Sequence, residues 1–458
     1  MKKIILLLWC CLSGSLSAQA LTLPEVIDQL RQDYPPLMEV QAKVRQNEGK
    51  LLEKEGGFDT KLKGKADSIP LGYYQHLALD TIVEQATPWW GTTFFSGYRL
   101  GQGNIADYDG KKNTLNLGEF RTGVNVPLLR NGPIDPLRAE ISRLRLAVDI
   151  ARLKARESEL KFVSSALKAY WGWVEALQKE RIATELLRLT QTRLEQLEAE
   201  IQLGKKPPID RLENQRALLK RQNKLLDVQQ KRQSKSLELG LFLTERNLPE
   251  QTPTPFFPSV NNCMSTEVPL QQAVTDALEQ RPERLSLSLQ LAQNDVGLAL
   301  AQNQFLPNLD LYLSLSQDIG EGDKNLAPLN LETGLKFDFP FQWRKAQGQT
   351  QQLEAERDQL QLQYDFVSES IRAEIAEARV VLNTSCQQIE MARQESELAL
   401  KLAAAERERF ALGGSDLFIV NLREQSAADA QDRLQEALSA YFLAEGQYML
   451  SLGLLPQR

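Results

Sequence analysis

Apolar and polar residues alternate along two short stretches of the chain, 308–316 and 330–339. Leu309, Leu311, Leu313 and Leu315 alternate with Asp310, Tyr312 and Ser314, and Leu331, Leu335 and Phe337 with Glu332, Lys336 and Asp338. A period of two predicts strands with one apolar and one polar face, and the Gly/Asp/Asn-rich stretch 318–325 between them predicts the turn of a hairpin. Each arm has about the 9–11 residues that a tilted strand needs to cross a bilayer. In a membrane barrel the leucines would face lipid, and Asp310, Glu332 and Lys336 would face the lumen. The same alternation also fits a half-buried hairpin in a soluble protein. An earlier strand, 60–68, sets Lys61, Lys63, Lys65 and Asp67 against Leu62, Gly64 and Ala66. These lysines either line the same lumen or deter edge-to-edge aggregation of an ordinary edge strand.

The flanks have a different period. Leu160, Val163, Leu167, Tyr170, Val174 and Leu177 step by three and four, as do Ile371, Ile375, Ala378 and Leu382, predicting coiled-coil seams. Helices are predicted over 24–54, 134–203, 208–246, 269–304, 343–412 and 415–453. The two longest would reach roughly 100 Å, more than a globular core needs.

The pattern occurs twice. Leu23 to Pro35 and Leu270 to Pro282 share an offset of 247, as do Phe58 and Phe305. Pro127 and Pro340 are offset by 213, and Gly204 and Gly413 by 209. The first half thus carries 34 extra residues in its strand region (247 − 213) and 4 more in its long helix (213 − 209). The expected organisation is a first repeat over 21–248, with strands at about 58–127, a Pro-rich linker over 249–268 near the middle of the rod, and a second repeat over 269–458, with strands at about 308–340. The extra residues, about 77–113, read as a further hairpin around Thr87-Pro88-Trp89-Trp90-Gly91, and paired tryptophans at a turn suit a membrane interface.

Composition narrows the compartment and the chemistry. The 458 residues are 42% hydrophobic and 25% charged, which is not the composition of a disordered chain. Residues 1–20 read as a signal peptide: Lys2-Lys3, an apolar core over 4–12, and Ala18-Gln19-Ala20 before the cleavage site. Loss of Lys2 and Lys3 takes the net charge from −6 to −8, which gives no support for nucleic-acid binding. Cys263 and Cys386 remain in an exported, oxidising compartment, either as a disulfide or as two separate thiols. His76 is the only histidine, so a His-based triad or metal site would rest on one residue. Gly101-Gln102-Gly103 lacks the following helix that a phosphate loop needs. No enzyme and no cofactor is expected.

With these elements in order, the chain resembles the TolC-type outer-membrane efflux proteins over nearly all of its mature length. The resemblance is carried by Leu21-Thr22-Leu23-Pro24-Glu25, by Gly57-Phe58-Asp59, by Val126-Pro127-Leu128-Leu129-Arg130-Asn131-Gly132, and by Phe410-Ala411-Leu412-Gly413-Gly414-Ser415-Asp416-Leu417. It implies a mainly helical fold with membrane β structure. A homotrimer would build a twelve-strand barrel in outer-membrane lipid, continued by a helical periplasmic tunnel. It further implies a passive exit duct that docks to an inner-membrane transporter through a periplasmic adaptor. The turns at Gly204 and Gly413 would then be the periplasmic tip and aperture. Asp210, six residues after Gly204, matches an acidic position of the family, whereas the equivalent position after Gly413 is Ile419. Asp416 and Glu424 are the nearby substitutes, and Asp416 also suits a helix cap. The inserted hairpin departs from the family pattern. It either joins the barrel as strands five and six of each protomer or stands outside it, and the unchanged helix count favours the second. An exported coiled-coil scaffold that never enters the membrane is the alternative reading.

Overall fold

The computed structural model describes residues 21–105, 112–244, 255–260 and 268–456; the expected signal peptide and Cys263 lie outside them. Eight helices are described: α1 (Leu23–Asp33), α2 (Pro35–Glu55), α3 (Pro136–Gln202), α4 (Ile209–Gly240), α5 (Leu270–Gln280), α6 (Pro282–Asn303), α7 (Arg344–Ala411) and α8 (Leu417–Ser451). The six strands are β1 (Lys61–Ile69), β2 (His76–Ala86), β3 (Thr93–Gly103), β4 (Glu119–Pro127), β5 (Asn308–Asp318) and β6 (Asn330–Asp338). The long helices α3 and α7 run for 67 and 68 residues.

Two predicted helices are each divided. The spans 24–54 and 269–304 break at Tyr34 and Arg281, whose ψ angles of 113° and 121° are extended. Pro35 and Pro282 follow them, and the proline ring drives the preceding residue out of the helical region. The helix restarts on the proline itself, where the missing N–H has no helical partner to lose.

The chain forms two compact units, each drawing on both halves of the sequence. The first comprises residues up to Met38, Ser158–Arg281 and Ser370–Arg458. Its core is the predicted seam: Val163, Leu167, Tyr170 and Val174 of α3 are buried, as are Ile371, Ile375 and Leu382 of α7 and Val26 and Leu30 of α1. The described part of the Pro-rich linker packs onto these helices. Phe257 stacks against both Trp171 and Phe442, with centroids 5.6 and 5.9 Å away, and those two rings stack on each other at 4.7 Å. The amide of Gln178 donates to the Pro255 carbonyl at 2.8 Å, and Arg393 donates to Val260 at 3.0 Å. Cys386, on α7, is disulfide-bonded.

The second unit comprises Glu39–Glu157 and Pro282–Glu369. Its centre is one six-stranded sheet in the order β1-β2-β3-β4-β5-β6, every neighbouring pair antiparallel. The inserted hairpin therefore does not stand outside the sheet. β2 pairs with β1 from Lys61↔Glu84 to Ile69↔His76, and β3 pairs with β4, so the insertion separates β1 from β4. Helix count says nothing about strand count, and the two-residue period of β2 and β3 records two faces in different surroundings without fixing which strands lie beside them. All connections to helices leave from one end of the sheet. There Arg138 of α3 donates to the carbonyls of Asn131 (2.9 Å) and Gly132 (2.6 Å), and the Trp343 indole donates to Phe305 (3.1 Å).

Candidate functional site

The strand register sorts the sheet into two chemically opposite faces. Lys61, Lys63 and Lys65 lie opposite Glu84, Ile82 and Asp80 of β2, and Asp80 lies opposite Arg99 of β3. Arg99 faces Glu119 of β4, Glu119 faces Asp318 of β5, and Asp310 faces Lys336 of β6. Glu332 sits on the same face, opposite Ser314. The six residues read from the sequence as lumenal, Lys61, Lys63, Lys65, Asp310, Glu332 and Lys336, are thus on one face. That face also holds an ion lattice. Lys63 Nζ meets Glu84 at 2.7 Å, and Arg121 holds Asp80 with bonds of 2.6 and 2.7 Å. Arg99 lies between Asp80 (3.6 Å) and Glu119 (3.5 Å).

The opposite face is apolar and open. Leu62, Leu79, Val83, Phe94, Phe120, Leu313, Leu331, Leu335 and Phe337 are all exposed on it, Leu62 to 75%. So much contiguous apolar surface marks an interaction with lipid or protein. Aromatics rim both ends. At the helix end are Trp89, Trp90 and Phe341, the last 92% exposed, and at the other end are Tyr73 and Tyr74. The tryptophan turn is tight, with Trp90 at φ 51° and Gly91 at φ 63°. An apolar band between two aromatic girdles is the surface that a bilayer covers. Among the described residues no helix is long and apolar enough to cross a membrane.

In the first unit, two helix-to-helix turns are built alike. At the end of α3, Gly204 N–H bonds to Ile201 O (3.0 Å) and Lys205 N–H to Glu200 O (2.9 Å). At the end of α7, Gly413 N–H bonds to Phe410 O (3.0 Å) and Gly414 N–H to Arg409 O (2.8 Å). This paired closure satisfies the last carbonyls, and it needs a left-handed residue; the glycine φ angles are 68° and 81°. The Lys206 ammonium lies 4.1 Å from the Phe410 ring centroid, joining one turn to the other. Asp210 lies in the first turn of α4, and Asp416 caps α8 by accepting the Ile419 N–H at 2.9 Å.

Glu424 does not join these turn residues. It is buried on α8, and its carboxylate is the hub of a network. Arg193 of α3 bonds to one oxygen, Arg221 of α4 to the other at 3.2 Å, and Arg407 of α7 approaches to 3.7 Å. Arg193 also donates to Asn421 (3.0 Å), and Arg221 to the Thr190 hydroxyl. Burial lowers the Arg221 guanidinium pKa from its ordinary value, and the Glu424 charge opposes the shift. One carboxylate therefore ties α8 to three other helices. A cavity of about 440 Å³ opens beside it, lined by Arg181, Leu186, Leu400, Arg407 and Ala427 among others. Among the described residues no cluster of His, Cys, Asp and Glu is arranged to hold a metal.

The sequence reading missed the arginines of this network and the Asp80–Arg99–Arg121–Glu119 lattice. The arginines had a signal. Thr190, Arg193 and Leu197 step by three and four along a buried stripe, and Asn214, Arg221 and Val228 are spaced by seven, so polar groups occupy core positions.

The chain combines an antiparallel sheet that has one apolar and one polar face with two helices of 67 and 68 residues. No protein-family profile matches the chain, and no curated protein sequence does. Solved structures do match. The outer-membrane channel OprN superposes with a TM-score of 0.68 at 14% identity, over 94% of this chain and 89% of that one. The Campylobacter jejuni CmeC outer-membrane channel gives 0.66 at 16%, over 94% and 85%. The Vibrio cholerae outer-membrane protein VceC gives 0.66 at 16%, over 94% and 96%. The chain has the TolC-type outer-membrane channel fold.

Proposed function

We propose that the protein is the protomer of an outer-membrane exit duct for efflux or secretion. One observation carries the reading: the exposed apolar face between aromatic rims lies opposite a face of charges, with β1 and β6 each paired on one side only. Open strand edges are untenable in lipid, so such a sheet must close on further copies of itself. β1 and β6 run in opposite directions within the meander, so β6 of one copy would pair antiparallel with β1 of the next, as every internal pair does. Both strands bring charges of both signs to that seam: Lys61, Lys63, Lys65 and Asp67 on β1, and Glu332, Lys336 and Asp338 on β6. A homotrimer would hold eighteen strands (3 × 6) in place of the family's twelve. Barrels of about 16–18 strands enclose a water-filled channel.

The duct is passive in this reading. A periplasmic adaptor docks at the Gly204 and Gly413 turns, and an inner-membrane transporter supplies energy and selects cargo.

Carbonate washing of cell envelopes tests the reading, followed by bilayer recording and by cysteine cross-linking between positions 62 or 64 and 333 or 335. Retention in the outer membrane, oligomeric cross-links and ion conductance are expected. A mature protein that washes off as a soluble monomer would instead be the periplasmic scaffold.

A further inference from the structure

The described residues that lead into β4 do not loop outward into solvent. Residues 112–118 lie across the charged face of the sheet, at the end away from the helices, and touch three alternate strands. The Lys112 ammonium bonds Asp67 of β1 at 2.8 Å. The Thr114 hydroxyl accepts the Gly101 N–H of β3 at 3.0 Å. The Leu115 N–H bonds the Asp318 carboxylate of β5 at 2.9 Å. Asp67, Gly101 and Asp318 all belong to the charged face by register. Gly101 fixes the side on which the segment lies: a Cβ there would collide with the Lys112 carbonyl, so only glycine admits the crossing. Leu115 is buried, Asn116 accepts the Glu321 N–H at 2.7 Å, and Leu117 N–H bonds Ile319 O at 3.1 Å. The segment is held at its ends and its middle, and the exposed Asn113 lies between the anchors.

We propose that residues 112–118 are a fixed inner strap that narrows the outward mouth of the duct and sets the size of solute that can leave. The inference rests on the channel reading. The inserted hairpin then has two effects. Its strands widen the wall, and the segment that follows takes back part of the added bore. Lys112, Thr114 and Leu115 are positioning residues, whereas the side chain at position 113 meets the solute.

The test uses the purified full-length oligomer in planar bilayers, with polyethylene glycols of graded size as probes of the bore. Lys112→Asp detaches the strap from β1, and Asp67→Lys combined with it restores an ion pair of reversed sign. The single variant is expected to raise conductance and to admit larger glycols added on the outer side of the membrane. The double variant is expected to return both toward wild type. Asn113→Cys leaves every anchor in place. A bulky charged methanethiosulfonate added to the inserted channel is expected to reduce its current, with no effect on the unsubstituted protein. Wild-type conductance that neither Lys112→Asp nor the Asn113→Cys adduct changes overturns the strap while leaving the channel. A wild-type protein that inserts without conducting overturns the channel reading, and the strap with it.

Discussion

Arg221 and Glu424 meet at 3.2 Å between α4 and α8, with 4% and 2% of their side chains exposed. Arg193 shares the same carboxylate, so two guanidinium groups depend on one acid. Breaking such a buried arrangement from one side leaves uncompensated charge. Glu424→Ala is expected to cost about 3–5 kcal/mol. Thermal denaturation followed by circular dichroism measures it. Glu395→Ala serves as the control. Its Arg433 partner is 50% exposed, and such pairs contribute less than about 1 kcal/mol.

The two turn glycines make a cleaner backbone experiment. A Cβ at Gly204 or Gly413 would meet nothing within 4 Å, so substitution there strains only the left-handed backbone. Gly204→Ala and Gly413→Ala should each cost about 1–2 kcal/mol. Hydrogen exchange should show the loss confined to the last turn of α3 or α7. A global destabilisation would indicate that these turns are coupled to the rest of the helical unit.

Tyr170 gives a pH dependence. Its hydroxyl donates to the Leu21 carbonyl at 3.0 Å, and burial, with the nearby Glu25 charge, pushes its pKa up from 10.0 to about 12. A pKa raised on folding contributes stability that is fully present below pH 10 and is lost as pH rises toward 12. Alkaline titration at the tyrosinate absorbance band should show one tyrosine ionising late. Tyr170→Phe should remove that step and flatten the alkaline stability loss.

The two sheet faces predict opposite tolerances. Leu335→Arg puts a charge on the apolar face, and an arginine facing lipid near the bilayer midplane costs about 2–4 kcal/mol. Lys336→Ala, one residue on, lies on the charged face and should assemble normally. Recovery of folded oligomer from outer membranes distinguishes the two. Equal recovery would place both residues in the same solvent and remove the basis for a membrane barrel.

Legibility in the sequence followed periodicity. The seam from Leu160 to Val174 and the alternation from Asn308 onward follow from side-chain spacing, and the structure has both. Tyr34 and Arg281 were misread because the apolar pattern runs through the prolines, although the backbone cannot. The hairpin around Trp89 was misplaced because its own alternation records two faces but not its neighbours; pairing is a long-range property. The Asp80–Arg121 bond joins residues 41 apart across an intervening strand, and nothing local announces it. Arg193 and Arg221 were detectable as polar residues on buried stripes, yet their common partner, Glu424, is more than 200 residues away.

The even strand count has an architectural consequence. A hairpin leaves and returns on the same side, so inserting one between β1 and β4 returns the chain to the rim where β4 begins, and β4 still ends at the rim where α3 begins. One added strand would deliver it to the opposite rim and sever the helices from their seat. Calibre and coupling are therefore separable inheritances. On the channel reading, the bore can change in steps of two strands per protomer while the helices stay as they are.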